Sequence, residues 1–289
     1  MVIKNFKTLL LSILCGLVFC TGHATDTKKE YHRPKTTQEP PCLTVWIHGT
    51  HTWNAKLFEA KWIRSIPGLH PASAYTEETN IFHVAHALHK ADPDKFPLEK
   101  IFAFGWNGKL SLTEREKAAE ELCSALCALI KNYEKKHGVK PKLRLITHSH
   151  GGNVSLLLTE AQEKLGLPLE IDELILLACP VQERTKHLIA NKIFKNVWHF
   201  YSRSDLTQVI DPQIVQNGWH GKVFSRRRFD PQANLIQKRI KRTKHRTFMK
   251  EKFLKNLPAL LENKICQHCW KRKNKKGKVL TSVLVFSSL

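Results

Sequence analysis

Ser149 lies in the run Thr147-His148-Ser149-His150-Gly151-Gly152, between two apolar stretches. Leu143, Leu145 and Ile146 before it suit a buried strand, and Val154 to Leu158 after it suit the start of a helix. A serine in a tight turn from strand to helix has the layout of a nucleophile elbow, which pushes one hydroxyl out at the end of a sheet. Such a turn strains the nucleophile's backbone and brings other chain segments close, so small residues must surround it. Gly151 and Gly152 meet that requirement, whereas Thr147 stands where the G-x-S-x-G pattern has its first glycine. Backbone N–H groups at the start of the following helix face the place where an oxyanion would form. The chemistry these residues suit is nucleophilic catalysis by an activated hydroxyl.

Such a serine needs a scaffold, and the remaining pattern supplies one. Cys42–Ile47 reads as a short β-prone element running into His48-Gly49-Thr50-His51. A long irregular segment, 52–98, follows, with Trp53, Trp62 and Phe82 and helical patterns at Ala55–Ile63 and Ile81–His89. His83, His86 and His89, three apart, suit packing or surface roles better than a metal site. Ile101–Trp106 is the next strand, and Ser111 to Lys136 the next helix, with Ser111 or Thr113 as N-cap. The elbow strand is 142–147, and its helix runs to about Leu165. A strand at Ile171–Ala178, a helix at about Gln182–Ala190, a strand at Asn196–Tyr201, a last strand at Leu235–Ile240 and a closing helix at Phe248–Leu261 complete the pattern. Alternating strands and helices predict an α/β fold, a mostly parallel central sheet with helices on both faces.

With the elbow in that order, residues 42–263 resemble the α/β-hydrolase superfamily, in particular its lipase and esterase branches. The resemblance implies a compact hydrolase domain in which 52–98 is a cap insertion over the substrate pocket. It also implies a triad in the chain order nucleophile, acid, base. On this sequence these are Ser149, Asp205 just beyond the second strand after the elbow, and His245 ahead of the closing helix. Asp211 competes for the acid and His220 for the base, while His148 and His150 are expected to shape the elbow or pocket. The loop glycine Gly49, with the elbow glycines Gly151 and Gly152, would let the backbone N–H groups of Thr50 and His150 form the oxyanion hole. The implied activity is hydrolysis of acyl esters, including lipids, by a carboxylic ester hydrolase. This chemistry calls for no metal and no organic cofactor.

The 289 residues can bury one large α/β core, and the apolar content of 42% is that of a globular protein. The formal charge of +22 favours anionic surfaces. A catalytically inactive hydrolase-fold protein, serving as a basic membrane- or partner-binding module, is the alternative reading. No RNA- or DNA-binding signature accompanies the charge, which argues against a nucleic-acid partner. Residues 1–24 read as a signal peptide: Lys4 and Lys7 precede an apolar run from Leu9 to Cys20, and Gly22-His23-Ala24 offers a cleavage site. The expected location is therefore secreted, periplasmic or envelope-associated. Residues 25–41 read as a linker. Cys123 and Cys127, four apart, read as small core residues, and Cys266-Gln-His-Cys269 as a local disulfide or free thiols rather than a zinc site. A basic C-terminal tail, 264–289, ends in an apolar piece, Val279–Leu289, that suits a stray strand or a segment docked on the body.

Overall fold

The computed structural model describes residues 39–50, 65–211 and 224–262, together with the backbone of 268–273 and 279–286. The signal and linker region up to residue 38, the Ala55–Ile63 helix, His220 and Cys266 lie outside the described residues.

Among the described residues nine strands form one sheet: β1 (Cys42–Ile47), β2 (Gly68–Pro71), β3 (Ile101–Gly105), β4 (Lys142–His148), β5 (Ile171–Leu177), β6 (Phe194–Tyr201), β7 (Leu235–Ile240), β8 (His268–Lys273) and β9 (Val279–Phe286). They lie in the order β2-β3-β1-β4-β5-β6-β7-β9-β8. Pairing is parallel from β3 through β9, and only β2 and β8, at the two edges, run antiparallel to their neighbours. The apolar piece at the C-terminus is thus a strand, β9, in register with β7.

Side chains alternate across this sheet, and both faces are covered. Leu43, Val45, Ile47, Leu143, Leu145, Leu174 and Leu176 point to one face. That face is packed by α2 (Leu112–His137), α3 (Gly151–Leu156) and α4 (Leu158–Leu165). Trp46, Ile146, Ile175, Leu177, Trp198 and Phe200 point to the other. There they meet α1 (Asn80–Ala91), α5 (Glu251–Leu254) and α6 (Leu257–Leu261). This is the expected α/β architecture, a mostly parallel central sheet with helices on both faces.

The long helix obeys its own pattern. Arg115, Ala118, Ala119, Leu122, Cys123 and Leu126 make one buried stripe at three- and four-residue spacing. Ser111 is its N-cap, with Oγ accepting from Glu114 N–H at 3.4 Å. Thr79 caps α1 in the same way, accepting from Phe82 N–H at 3.3 Å. Cys123 and Cys127 are free thiols, the first buried in the core and the second packed against it.

Three helical expectations are corrected. Gln182–Ala190 is not a helix: it runs through turns into a short 3-10 segment, Lys186–Ala190. Gln182 and Thr185 commit their side chains to buried hydrogen bonds with Asp211 (2.7 Å) and Asn153 (2.5 Å), which tie this segment to distant parts of the chain. The closing helix is broken into a 3-10 turn, His245–Met249, then α5 and α6, because Lys250 is extended (φ −83°, ψ 149°) and Pro258 begins a new turn. The elbow helix likewise divides at Leu157 into α3 and α4. Buried Lys238 pins α6, donating to the Leu260 carbonyl with its ammonium 4.6 Å from the centre of the Trp198 ring.

Candidate active site

β4 ends at His148, and the chain turns at Ser149 with φ +54°, in the left-handed region that a residue with a side chain rarely adopts. Two backbone bonds hold the turn: Ser149 N–H donates to the Leu177 carbonyl (2.9 Å), and Gly152 N–H donates to the Ser149 carbonyl (3.0 Å). The side chain stays 8% exposed. A strained serine at the carboxyl end of a central strand is therefore a feature of this fold, held on both sides.

Close approach explains the glycines. A Cβ on Gly151 would lie 2.5 Å from the Ile47 carbonyl oxygen and 2.6 Å from that of His48, so α3 can start only where no side chain intervenes. A Cβ on Gly49 would lie 2.6 Å from Ser149 Cβ and 3.3 Å from its Oγ, so the 48–50 loop passes directly over Ser149. Gly152 is tight against Cys179 Sγ. Thr147, the departure from the glycine pattern, is fully buried within β4, and its hydroxyl donates to the Ile175 carbonyl at 3.4 Å across the sheet. The strand accommodates its Cβ because the tight contacts fall on Gly151.

The 48–50 loop is held by His48. Its Nε2 accepts from Trp106 N–H at 3.2 Å and meets Ser65 Oγ at 2.8 Å, so Nδ1 carries the proton and donates to the Gly49 carbonyl at 2.7 Å. The Trp106 indole N–H donates to the His48 carbonyl at 2.9 Å, and the two rings stack 5.7 Å apart. Next along, Thr50 Oγ1 is shut off from solvent with no partner among the described residues. Ser65 and Trp106 had no motif to mark them; their roles depend on strands meeting in space.

Asp205 and His245, forty residues apart, come together. Asp205 Oδ2 accepts from His245 Nδ1–H at 2.8 Å, and Oδ1 accepts from Gln208 N–H at 3.1 Å. The carboxylate is fully buried, while the imidazole keeps a little exposure. With Nδ1–H given to Asp205, Nε2 is left as the basic atom. His148, just before the serine, packs its ring 4.7 Å from that of His245 and donates Nε2–H to the His245 carbonyl at 3.1 Å. Burial first, then the neighbouring His245, holds the His148 pKa well below the usual imidazole value, so it stays neutral.

Asp211, the rival acid, is engaged elsewhere. His150 Nε2 donates to its Oδ1 at 3.2 Å, while Gln182 (2.7 Å) and Ser225 (2.6 Å) donate to Oδ2. Burial alone would raise the Asp211 pKa, but these hydrogen bonds outweigh it and hold the carboxyl below the usual range. Burial depresses His150 in turn, and its Nδ1 accepts from Asn153 Nδ2 at 3.4 Å, consistent with a neutral ring. Arg115, fully buried, donates to Gln182 Oε1 at 3.3 Å; desolvation lowers its pKa to about 10, opposed by Asp211. Asn153 also donates to the Pro180 carbonyl at 3.0 Å. His150 is thus anchored by a buried network that draws on α2, the 180–185 turns, Asp211 and Ser225. Local sequence gave no signal for it, because the links from Arg115 to Gln182, Gln182 to Asp211 and Asp211 to His150 each span distant segments.

Among the described residues no group of three His, Cys, Asp or Glu side chains is arranged to hold a metal ion. None of the helices among them is long and apolar enough to cross a membrane.

No protein-family model matches the chain, and no curated protein does. Solved structures with which it shares some likeness include an α-β serine hydrolase homologue from Coxiella burnetii, at 15% identity over 78% of this chain and 85% of that one, with a TM-score of 0.40. An arylesterase is 11% identical over 78% of this chain and 77% of that one, with a TM-score of 0.43. An esterase from Pyrobaculum calidifontis is 10% identical over 80% of this chain and 79% of that one, with a TM-score of 0.42.

Proposed function

We propose that the protein is a serine hydrolase that cleaves carboxylic acyl esters, with Ser149 as nucleophile, His245 as base and Asp205 as its partner. The observation that carries the reading is the Asp205–His245 hydrogen bond of 2.8 Å in a fold that also strains Ser149 into the left-handed region at a strand end. An imidazole held by a buried carboxylate through Nδ1 has its other nitrogen fixed as a base, which is what a weak hydroxyl nucleophile requires.

In this mechanism His245 Nε2 takes the Ser149 hydroxyl proton as Oγ bonds to the ester carbonyl carbon. The carbonyl oxygen becomes an oxyanion facing the backbone N–H groups of Thr50 and His150, and the buried Thr50 hydroxyl, lacking a partner among the described residues, can add a third donor. Collapse breaks the bond to the alcohol oxygen, which receives the proton from His245. Water, deprotonated by the same nitrogen, then releases the acid and restores Ser149. Asp205 keeps the imidazole in one tautomer and stabilises its charged form without itself becoming protonated.

The preference for esters comes from the resemblance to lipases and esterases, as does a lipid or other acyl ester as substrate. Export through residues 1–24 belongs to the same proposal, and N-terminal sequencing of exported protein tests it. The activated serine is tested by labelling with a fluorophosphonate probe. The folded protein should react and Ser149→Ala should not; equal labelling of the two would remove Ser149 from the mechanism.

A further inference from the structure

On the face of the sheet covered by α1, a cleft of about 860 Å³ opens between that helix and the segment 244–251. Lys90 on α1 faces Lys244, Arg246 and Lys250 across it, with His83 and His86 beside Lys90. Among the described residues, the one carboxylate lining it is Glu251, which lies 3.6 Å from Lys90 with both side chains well exposed. Four fixed cations against one acid set up a positive field, and the low-dielectric walls of a cleft concentrate it. Ala87 and Met249 add apolar surface between the charges, with Met249 held in place by Asn80 Nδ2 at 3.5 Å from its sulfur. Lysine stems extend that apolar surface while their ammonium groups remain in water.

We infer that this cleft binds a phosphate-bearing amphiphile of net negative charge, such as an anionic phospholipid, with the head group on the lysines and the first part of a chain along Ala87 and Met249. A bare anion would use only the charges and leave the apolar wall in water. A neutral lipid would gain nothing from the charge of the three lysines. None of Ser149, Asp205 and His245 lines the cleft, so binding there does not depend on the hydrolytic chemistry. Lys244 and Arg246 flank His245 in the chain, so an occupant touches the turn that presents the base.

The test uses the full chain with Ser149→Ala, so that no turnover intervenes. Isothermal titration compares short-chain dihexanoyl phosphatidylglycerol, dihexanoyl phosphatidylcholine and inorganic phosphate. Two further double substitutions on that background carry equal charge change: Lys90→Gln with Lys250→Gln in the cleft, and Lys131→Gln with Lys135→Gln on the exposed side of α2. The phosphatidylglycerol should bind at least tenfold more tightly than either comparator. The cleft pair should weaken it by roughly thirtyfold, at about one lysine's worth of head-group attraction each, and the α2 pair by less than about twofold. Equal weakening by both pairs, equal binding of the two phospholipids, phosphate binding as tight as the phospholipid, or no binding would each overturn the inference. Ester hydrolysis by the parent protein is read separately, so failure of one proposal is not failure of the other.

Discussion

The ring of His148 lies 4.7 Å from that of His245, and its Nε2–H reaches the His245 carbonyl at 3.1 Å. The residue before the nucleophile therefore holds the backbone of the base. Serine and histidine are set relative to each other by a side chain that takes no part in proton transfer.

Replacing His148 with alanine should loosen the 244–249 turn and let His245 shift slightly, while every triad residue is itself retained. The expected result is a fall in kcat of roughly ten- to a hundredfold with KM little changed, since small misplacements of a reacting group are costly. His148→Gln, which can still donate to the carbonyl, should recover much of the loss. Steady-state kinetics on a p-nitrophenyl ester would check both. Equal loss of kcat in the two variants would argue that the ring packing, not the hydrogen bond, sets the base.

The two aspartates should separate cleanly. Asp205→Asn should lower kcat by about four orders of magnitude with a near-normal melting temperature, because it removes the group that fixes the His245 tautomer. Asp211→Asn should instead cost about 3 kcal/mol of stability, since it leaves buried Arg115 without its compensating charge and puts an amide against donors from Gln182, Ser225 and His150. Kinetics and thermal melts on the two variants would show the opposite profiles. If Asp211→Asn gave the larger kinetic loss with stability intact, the assignment of the acid would reverse.

Gly49→Ala places a methyl 2.6 Å from Ser149 Cβ, and the facing atoms belong to the elbow itself. We expect hydrolysis and fluorophosphonate labelling to fall together by at least about a hundredfold, because the displaced loop carries the Thr50 N–H proposed as an oxyanion donor. Activity within a few-fold of the parent would show that the 48–50 loop does not form the oxyanion hole.

Stability should fall in mild acid. Burial lowers the pKa of His199 to about 4, with its hydrogen bond to Gln237 opposing, and His148 and His150 are depressed in the same direction. These rings are neutral in the folded chain, whereas in the unfolded chain they take up protons below a pH of about 6.5. Their contribution is therefore complete above that pH and is lost as pH falls towards 4. His199 alone would account for about 3 kcal/mol by the lower end of that range. Urea midpoints at pH 7.5, 6 and 5 should decrease in that order, and His199→Gln should flatten the decline. A flat profile in the parent would contradict the buried, neutral rings.

What was legible in the sequence was whatever a local pattern could carry. The apolar runs of β4 and β5, the stripe on α2 and the elbow glycines each satisfy a rule spanning a few residues. The Gln182–Ala190 and Phe248–Leu261 segments look helical on the same grounds and are not regular helices, because distant partners and an extended Lys250 override the local preference. The network from Arg115 through Gln182 and Asp211 to His150 left no mark, since none of its members is near the next in the chain. Asp205 and His245 were reached through a family resemblance in chain order; no spacing rule brings together residues forty apart. The resemblance put Asp205 ahead of Asp211 by its place just beyond β6; in the folded chain Asp205 faces His245, whereas Asp211 faces His150, Gln182 and Ser225.

The most direct measurement is hydrolysis of p-nitrophenyl acyl esters of graded chain length by the folded protein and by Ser149→Ala. The account predicts turnover by the parent across part of that series and a loss of about a millionfold in kcat in the variant, down to background. Turnover that survives the substitution, or a correctly folded parent that hydrolyses none of the esters, would contradict it.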